Sequence, residues 1–411
     1  MNPVTRRDAS KVLKIAVADT TAAGDLIGGA QMFLVDFLSG LVRRGHDVHF
    51  VTTGEPDDRI RSKLISTGST VHTKWTAPGR LVDDATPLAA GRLKALVPDV
   101  YVVSVSGDVG WTVLPFLQPE TATLTIGHND EETFYSPAKH YHQFLTRAVG
   151  VSEAICGNYV KSCHMPAERV DWIPYGVQTR ETMPEPLDNP LRLIYVGRFE
   201  EEQKRISDVV AIAKKLSSTV IDFEARLVGD GEAMPMVRRE LAGEIESGKV
   251  RLMGWLASEE VIGLMNQSEI FVLASAYEGF CISLTEAMAN GCCPIVTDIR
   301  SGNKQLVRDG ENGFIVPVGD IEAFVDRIRI LDNDRDRLLR MRQAAWETGR
   351  QYSVERMVAS YEDCFRRAVE DAKANPRTPD PDFPLMPSCR SKYPLWLRRI
   401  KAKAKSFVAN R

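Results

Sequence analysis

The sequence predicts an α/β fold in which two doubly wound parallel-sheet domains face each other across a cleft. Short β-rich runs alternate with helical periodicity, which is the pattern of βαβ units and of a parallel sheet. The alternation stops at 178–190, a segment with three prolines and no apolar period, and then starts again. The length of 411 residues also suits two domains better than one core. We therefore expect an N-terminal domain over 1–177, a linker over 178–190 and a C-terminal domain over 191–370.

The first domain contains five clear β-rich runs. Its predicted strands are KIAVAD (14–19), DVHFVTT (47–53), DVYVVSVS (99–106), TATLTIGH (121–128) and AVGVS (148–152). Its helices are predicted near 29–44, 87–96 and 138–147, and the domain ends with VDWIPYGV (170–177). Because strands and helices alternate, the strands are expected to lie parallel in one sheet.

The second domain repeats this arrangement. Its predicted strands are LRLIYVG (191–197), DFEARLVGDG (222–231), KVRLMG (249–254), IFVLASA (270–276), CPIVTD (293–298) and GFIVP (313–317). Its helices are predicted near 205–217 and 232–243, and from about 320 to 373 the chain is expected to be helical.

Residues 371–411 are predicted to be a proline-rich linker followed by a basic tail. The segment 375–390 contains five prolines and is expected to be extended and poorly packed. The last 21 residues, 391–411, contain seven basic side chains and no acidic one, mixed with apolar residues. Two interpretations fit this tail: a segment that lies on an anionic membrane surface, and a solvated, disordered tail.

Composition narrows the classes of function. The formal net charge of −3 argues against a basic surface for nucleic acid, so no nucleic-acid partner is expected. The seven cysteines lack CxxC spacing and are expected to be reduced thiols, and no metal site is predicted. No apolar run approaches the ~20 residues of a membrane span. The protein is expected in the cytoplasm, with peripheral binding to the inner face of the membrane if the tail binds lipid.

Candidate functional residues follow the carboxyl ends of the predicted strands, where parallel sheets bind ligands. Gly28 and Gly29 follow the first strand and would let backbone N–H groups approach an anion, but a simple turn explains them equally well. Arg198 and Lys204 lie in GRFEEEQKR. Two cations there suit a diphosphate, and the alternative is a solvated pair balanced by the neighbouring glutamates.

Two further loops contribute a histidine and carboxylates. His128 and Asp130 follow the strand TATLTIGH, where a histidine can position a hydroxyl or serve only as a hydrogen-bonded loop residue. Glu278 and Glu286 lie in YEGFCISLTEAMANGCCP. Ser283 is predicted to cap the next helix, with Glu286 in the capping-box position, whereas Glu278 has no such structural explanation. Cations suited to phosphates and carboxylates suited to hydroxyls together indicate a nucleotide sugar.

With these motifs in order, the sequence resembles a retaining glycosyltransferase of family 4, over about residues 12–370. The E-x7-E signature runs from Glu278 to Glu286, and the GR-loop-K element runs from Arg198 to Lys204. Three more elements match the family: GDGE (229–232), MGWLASEEV (253–261) and DGENGFIVPVGD (309–320). The resemblance implies the GT-B fold of two Rossmann-like domains, with the acceptor bound by the first and the sugar donor by the second.

The resemblance also implies a role for each candidate residue. Arg198 and Lys204 would hold the donor diphosphate, and Glu278 would contact the transferred sugar. The backbone at Gly279 and Phe280 would meet its hydroxyls or the phosphate. Glu286 would accept hydrogen bonds from the ribose hydroxyls. Gly28 and Gly29 would approach the phosphates from the first domain, and His128 would lie near the sugar and the acceptor.

Two positions depart from the family pattern. Cys281 stands where the family usually has glycine, so a Cβ beside the donor sugar is expected to alter sugar preference. Gln305 replaces a glutamate that is common in the family.

The expected function is transfer of a hexosyl group from a UDP or GDP sugar to a hydroxyl of a glycan or lipid-linked acceptor in envelope polysaccharide or glycolipid synthesis. The reaction would retain the anomeric configuration and need neither a metal nor another cofactor. A nucleotide-sugar epimerase on the same fold and a non-catalytic sugar-nucleotide binder remain alternatives. A carboxylate-pair hydrolase fits the phosphate-binding loops less well, and a dehydrogenase lacks its G-x-G-x-x-G motif after the first strand.

Overall fold

The computed structural model describes residues 11–20, 29–75, 81–105, 107–185, 189–300 and 302–386. The chain divides into two compact units. Unit 1 consists of Met1–Gly150, Ile155–Ile173 and Val358–Arg411, and unit 2 consists of Val151–Ala154 and Pro174–Met357.

The first half of the chain alternates strands and helices as predicted. Its strands are β1 (Lys14–Ala18), β2 (Asp47–Val51), β3 (Thr70–His72), β4 (Val100–Val103), β5 (Ala122–Gly127), β6 (Arg147–Gly150) and β7 (Val170–Trp172). Its helices are α1 (Gly29–Arg43), α2 (Asp58–Ser66), α3 (Val82–Leu96), α4 (Asp108–Thr112), α5 (Glu132–Tyr141) and α6 (Glu153–Cys163). Within the described residues these strands form one parallel sheet in the order β3-β2-β1-β4-β5-β6-β7.

The second half repeats the pattern. Its strands are β8 (Leu191–Val196), β9 (Phe223–Val228), β10 (Val250–Gly254), β11 (Ile270–Leu273), β12 (Cys293–Thr297) and β13 (Phe314–Val316). Its helices are α7 (Ile206–Ser217), α8 (Met234–Glu240), α9 (Ala242–Glu246), α10 (Ser258–Met265), α11 (Ile282–Ala289), α12 (Asn303–Leu306), α13 (Ile321–Asn333), α14 (Arg335–Gly349) and α15 (Val354–Ala374). The described strands of unit 2 form a parallel sheet in the order β10-β9-β8-β11-β12-β13.

Both sheets are doubly wound, which confirms the predicted fold class. Every residue of β4, β5, β9 and β11 is buried, as expected for parallel strands covered by helices on both faces. In each sheet the chain starts near the middle, builds strands to one side and then crosses to the other. The strand order reverses between β1 and β4 in unit 1 and between β8 and β11 in unit 2. Such a reversal opens a crevice at the carboxyl ends of the two strands.

Some predicted element boundaries are wrong. The helix predicted near 138–147 is α5, which ends at Tyr141, and Arg147 instead begins β6. The Arg147 guanidinium is bound by the carboxylates of Asp171 at 2.7 Å and Asp371 at 2.6 Å. These partners are far away in sequence, so helical periodicity could not indicate them. The sequence pattern also misses the short elements α2, β3 and α6.

The division into units differs from the predicted domain limits at both ends. The chain lies continuously in unit 2 from Pro174 to Met357, and the described part of the segment predicted as a linker belongs to that unit. There, Gly291 lies against Met183 and Pro184. From Val358 onward the chain belongs to unit 1 rather than to the predicted C-terminal domain. Val358 lies against Gly40 of α1, which fixes the last helix on the first unit.

The prediction that the proline-rich segment is poorly packed is wrong for its described part. The Arg377 guanidinium donates to the carbonyl oxygens of Thr121 at 2.6 Å and Gln118 at 2.7 Å. The Phe383 ring packs edge-on against Phe144, with ring centroids 4.9 Å apart. Prolines prevent regular structure here but leave side chains able to dock. The basic tail at 391–411 lies outside the described residues, and none of the described helices could span a membrane.

Candidate functional site

The predicted donor residues of unit 2 follow the two strands between which the strand order reverses. Arg198 and Lys204 lie between β8 and α7, and Glu278 lies between β11 and α11. The backbone N–H of Ala276 donates to the carbonyl oxygen of Gln203 at 2.8 Å, which joins the two loops. Residues 73 positions apart in sequence are therefore brought together.

A buried ion pair between Lys204 and Glu278 lies at the centre of this region. The Lys204 Nζ atom is 2.6 Å from Glu278 Oε1, and the two side chains are 12% and 6% exposed. The Ser275 hydroxyl donates to the same oxygen at 2.7 Å. Burial disfavours the ammonium ion, but the Glu278 carboxylate outweighs burial and raises the pKa of Lys204 above its ordinary value. Lys204 is therefore held as a cation.

Gln203 connects this pair to Arg198, and sequence reasoning missed it. Its side-chain oxygen accepts from Arg198 Nη2 at 2.6 Å. Its amide nitrogen donates to Glu278 Oε2 at 3.3 Å and to the carbonyl oxygen of Tyr277 at 3.3 Å. The available signal was its position next to Lys204, but a neutral amide between charged residues carries no motif of its own.

The start of α11 differs from the prediction. Cys281, not Ser283, is the N-cap residue, so Glu286 lies beyond the capping-box position. The Ser283 hydroxyl instead donates to the carbonyl oxygen of Val196 at 3.1 Å. It thereby bonds to β8, a contact that no local pattern could reveal. Glu286 lies half-buried on the middle turn of α11.

The departure at Cys281 is structurally tolerated. Its backbone φ of −79° is ordinary for any residue, so glycine is not required for the conformation. Burial and the nearby Glu278 raise the pKa of the Cys281 thiol to about 11, which keeps it protonated at neutral pH. Its sulfur lies 3.4 Å from the Ser283 hydroxyl.

The residues between Glu278 and Cys281 anchor the loop. The Phe280 ring is buried and contacts the rings of Tyr175 and Tyr352, with centroids 6.0 and 5.8 Å away. The carbonyl oxygen of Gly279 accepts a long bond of 3.4 Å from the Gly302 N–H. The Phe280 side chain thus packs within the protein, and the ligand contacts expected from the backbone of Gly279 and Phe280 stay a prediction.

The loop after β9 packs closely on the loop that carries Arg198. Phe199 N–H donates to the carbonyl oxygen of Asp230 at 2.8 Å. Gly229 has a φ of +136°, and a Cβ there would lie 1.9 Å from the carbonyl oxygen of Gly197. The GDGE element of the sequence therefore shapes the neighbouring loop through direct backbone contact.

The remaining predicted residues belong to unit 1. His128 follows β5, is 9% exposed and shares a hydrogen bond of 2.8 Å with the Ser104 hydroxyl. Asp130 Oδ1 accepts from Tyr135 at 2.7 Å and from Asn158 at 2.6 Å. Gly29 is the first residue of α1, whereas Gly28 lies outside the described residues.

Burial lowers the pKa of His128 to about 3, so this histidine is neutral at physiological pH. In the unfolded chain its pKa returns to about 6.5. The unfolded state therefore binds more protons below that value, and His128 lowers stability as pH falls from about 6.5 towards 3, by up to about 1.4 kcal/mol per pH unit.

We expect His128→Gln to reduce the dependence of the unfolding free energy on pH in this range. Urea unfolding of both proteins between pH 4 and 8 measures the difference. His142→Gln is the control, because the half-buried His142 has an exposed hydrogen bond to the carbonyl oxygen of Lys139, and it should behave as the wild type. Parallel pH profiles for His128→Gln and the wild type would contradict a neutral, buried His128.

No group of three or more potential metal ligands occurs among the residues that the structure describes. The described cysteines 156, 163, 281, 292, 293 and 364 are free thiols.

Two known protein families match this chain, one over its first half and the other over most of its second half. A family described as "Glycosyltransferase Family 4" matches residues 27–181, and one described as "Glycosyl transferases group 1" matches residues 179–348. The phosphatidyl-myo-inositol mannosyltransferase of Mycolicibacterium smegmatis is 25% identical over 332 residues, which cover 76% of this chain and 83% of that protein. The putative colanic acid biosynthesis glycosyltransferase WcaL of Salmonella typhimurium is 23% identical over 394 residues, covering 80% and 96%.

Solved structures share the fold at low sequence identity. HepE from Anabaena, crystallised with UDP, aligns with a TM-score of 0.72 at 16% identity and covers 86% of this chain and 100% of its own. The lipopolysaccharide outer core galactosyltransferase WaaB in its apo form aligns with a TM-score of 0.68 at 17% identity, covering 86% and 99%. The two family matches, the relatives and the shared fold identify this chain as a glycosyltransferase with the GT-B fold.

Proposed function

We propose that this glycosyltransferase moves a hexosyl group from a nucleoside-diphosphate sugar to an acceptor hydroxyl, with retention of configuration and without a metal. The observation that carries the proposal is the connected set Arg198, Gln203, Lys204 and Glu278 at the strand-order reversal of unit 2. It combines two cations with a fixed carboxylate. That combination suits a diphosphate joined to a sugar.

The proposed mechanism assigns one task to each charge. When the bond between the anomeric carbon and the diphosphate oxygen breaks, its electron pair remains on the diphosphate. Arg198 and Lys204 stabilise this growing negative charge, as preorganised donors do in other active sites. Glu278 accepts hydrogen bonds from the sugar hydroxyls, and Glu286 accepts them from the ribose. The leaving phosphate takes the acceptor proton, so no protein nucleophile is required.

The comparisons support an envelope role and a nucleotide donor. Two relatives are named for a phosphatidyl-myo-inositol acceptor and for colanic acid biosynthesis. HepE was crystallised with UDP and with UDP-glucose. A UDP or GDP sugar and a glycan or lipid-linked acceptor are accordingly proposed here. A location on the inner face of the membrane through 391–411 belongs to the same proposal and rests on the sequence of that tail.

Thermal unfolding with UDP, GDP, ADP, NAD and the corresponding sugar conjugates tests the donor site. One nucleoside diphosphate is expected to stabilise the wild-type protein, by about 2.7 kcal/mol at one hundred times its Kd. Arg198→Ala and Glu286→Ala are expected to lose this stabilisation. The control is Arg308→Ala, because Arg308 is 62% exposed and Arg198 63%. Stabilisation by NAD alone, or by no nucleotide, would contradict the proposal.

Turnover separates the alternatives from the transferase. When the protein is incubated with the stabilising sugar nucleotide and a glycan or lipid-linked acceptor, transfer would release a free nucleoside diphosphate and form a glycosylated acceptor. An epimerase would change the sugar or release it without an acceptor product, and a non-catalytic binder would leave the donor intact.

A further inference from the structure

A neutral amide, that of Gln203, lies between two charged side chains of the candidate site, Arg198 and Glu278. Gln203 accepts a hydrogen bond from Arg198 at 2.6 Å and donates one to Glu278 at 3.3 Å. An amide can do both because it carries an acceptor oxygen and a donor nitrogen. A glutamate could not donate to Glu278, and a lysine could not accept from Arg198.

We infer that Gln203 is a positioning residue that aligns Arg198 with Glu278 while leaving the positive charge of Arg198 available to a diphosphate. This inference rests on the proposed function, because it assumes that Arg198 and Glu278 bind the donor. It adds a residue to the site and explains why that residue is uncharged.

The charges of the neighbouring groups support this role. The Lys204 ammonium is buried and lies 2.6 Å from the Glu278 carboxylate, so it is already paired within the protein, whereas the Arg198 side chain is 63% exposed. Among the residues that the structure describes, Arg198 has no such charge compensation at hydrogen-bond distance, since the carboxylate paired with it, that of Glu200, is 3.8 Å away. Its guanidinium instead donates to the neutral side-chain oxygen of Gln203 at 2.6 Å.

Glu200 is itself engaged elsewhere in the loop. Its carboxylate accepts from the backbone N–H of Lys204 at 3.0 Å and from that of Gln203 at 3.3 Å. The Arg198 guanidinium is 63% exposed, so its other N–H groups face solvent. A guanidinium in this state can form paired bonds to phosphate oxygens.

The backbone of Gln203 is fixed well enough for its side chain to position others. Its carbonyl oxygen accepts from Ala276 at 2.8 Å, which ties it to the loop that carries Glu278. The side-chain amide nitrogen of Gln203, Nε2, also donates to the carbonyl oxygen of Tyr277 at 3.3 Å. Gln203 therefore holds the loops after β8 and β11 together from both main chain and side chain.

Two substitutions separate the charge effect from the loss of the bridge. Gln203→Glu places a carboxylate against Arg198 and beside Glu278, and is expected to weaken UDP or GDP binding by about 10–100-fold. Gln203→Met removes the hydrogen bonds from Gln203 to Arg198 and Glu278 without adding charge. It is expected to weaken binding less than Gln203→Glu but to lower kcat, since Arg198 keeps its charge and loses its alignment. Isothermal titration with UDP and with GDP measures the first effect, and steady-state kinetics the second.

Gln343→Glu is the matched control, because the Gln343 amide also donates to a carboxylate, that of Glu347 at 2.9 Å, on α14. It should bind nucleotide as the wild type does. If Gln203→Glu fails to fold, the kcat of Gln203→Met still tests the inference, and an unchanged kcat overturns it.

The outcomes also distinguish this inference from the proposed function. Nucleotide binding that is lost in Arg198→Ala but unchanged in both Gln203 variants overturns the inference alone. A wild-type protein that binds neither UDP nor GDP overturns both. Equal weakening by Gln203→Glu and Gln203→Met overturns the charge argument, because a purely structural role would not distinguish them.

Discussion

Replacing Lys204 with methionine is expected to lower the free energy of unfolding by about 3–5 kcal/mol, because it leaves a buried carboxylate without its counterion. Glu278 is only 6% exposed, and Lys204 is its partner at 2.6 Å. The remaining donors, Ser275 and Gln203, are neutral and cannot replace the lost charge. Equilibrium denaturation with urea measures the change.

The double variant Lys204→Met/Glu278→Gln is expected to be less destabilised than Lys204→Met alone, because neither buried charge remains. The control is Lys304→Met. Lys304 forms a 2.5 Å ion pair with Asp298, but both side chains are about half exposed, so the expected loss is at most about 1 kcal/mol. Additive losses in the double variant would show that the pair is not coupled.

The Lys204→Met variant should also have its transferase activity reduced by about 10²–10³-fold. This is the usual cost of removing one group that stabilises charge in a transition state. Activity should remain low in the double variant even though its stability partly recovers. A double variant that regained activity along with stability would assign Lys204 a structural role only.

Replacing Gly229 with alanine is expected to destabilise the protein by about 3–5 kcal/mol, from backbone strain and overpacking together. The φ of Gly229 is +136°, and the new Cβ would lie 1.9 Å from the carbonyl oxygen of Gly197. A backbone oxygen cannot move aside as a flexible side chain can. The loop that carries Arg198 must therefore shift, and nucleotide binding should weaken as well.

Gly248→Ala is the matched control for this substitution. Gly248 also has a positive φ, +77°, but no atom lies within 4 Å of the position of a Cβ. It should therefore show only the conformational cost of about 1–2 kcal/mol and unchanged nucleotide binding. Urea unfolding and titration with UDP or GDP measure both effects. Equal losses of stability in the two variants would mean that the Gly229 contact is relieved without cost.

Local patterns identified most of the strands, because parallel strands buried on both faces are rich in apolar residues. LRLIYVG and IFVLASA contain β8 and β11, and their positions in the chain placed Arg198 and Glu278 at carboxyl ends. Local sequence patterns predicted the structure less well where a residue contacts side chains that are distant in sequence. Arg147 lies in a strand, where Asp171 and Asp371 bind its guanidinium.

The sequence by itself determined the two doubly wound sheets, the loops that carry the charged residues and the glycosyltransferase motifs, because periodicity and motif spacing are local properties. Only the tertiary structure decided how the charges are paired. It placed Lys204 on Glu278, made Gln203 the bridge to Arg198 and moved the helix cap from Ser283 to Cys281. Hydrogen bonds and ion pairs form between groups that are close in space. That closeness depends on which strands lie side by side in the folded sheet.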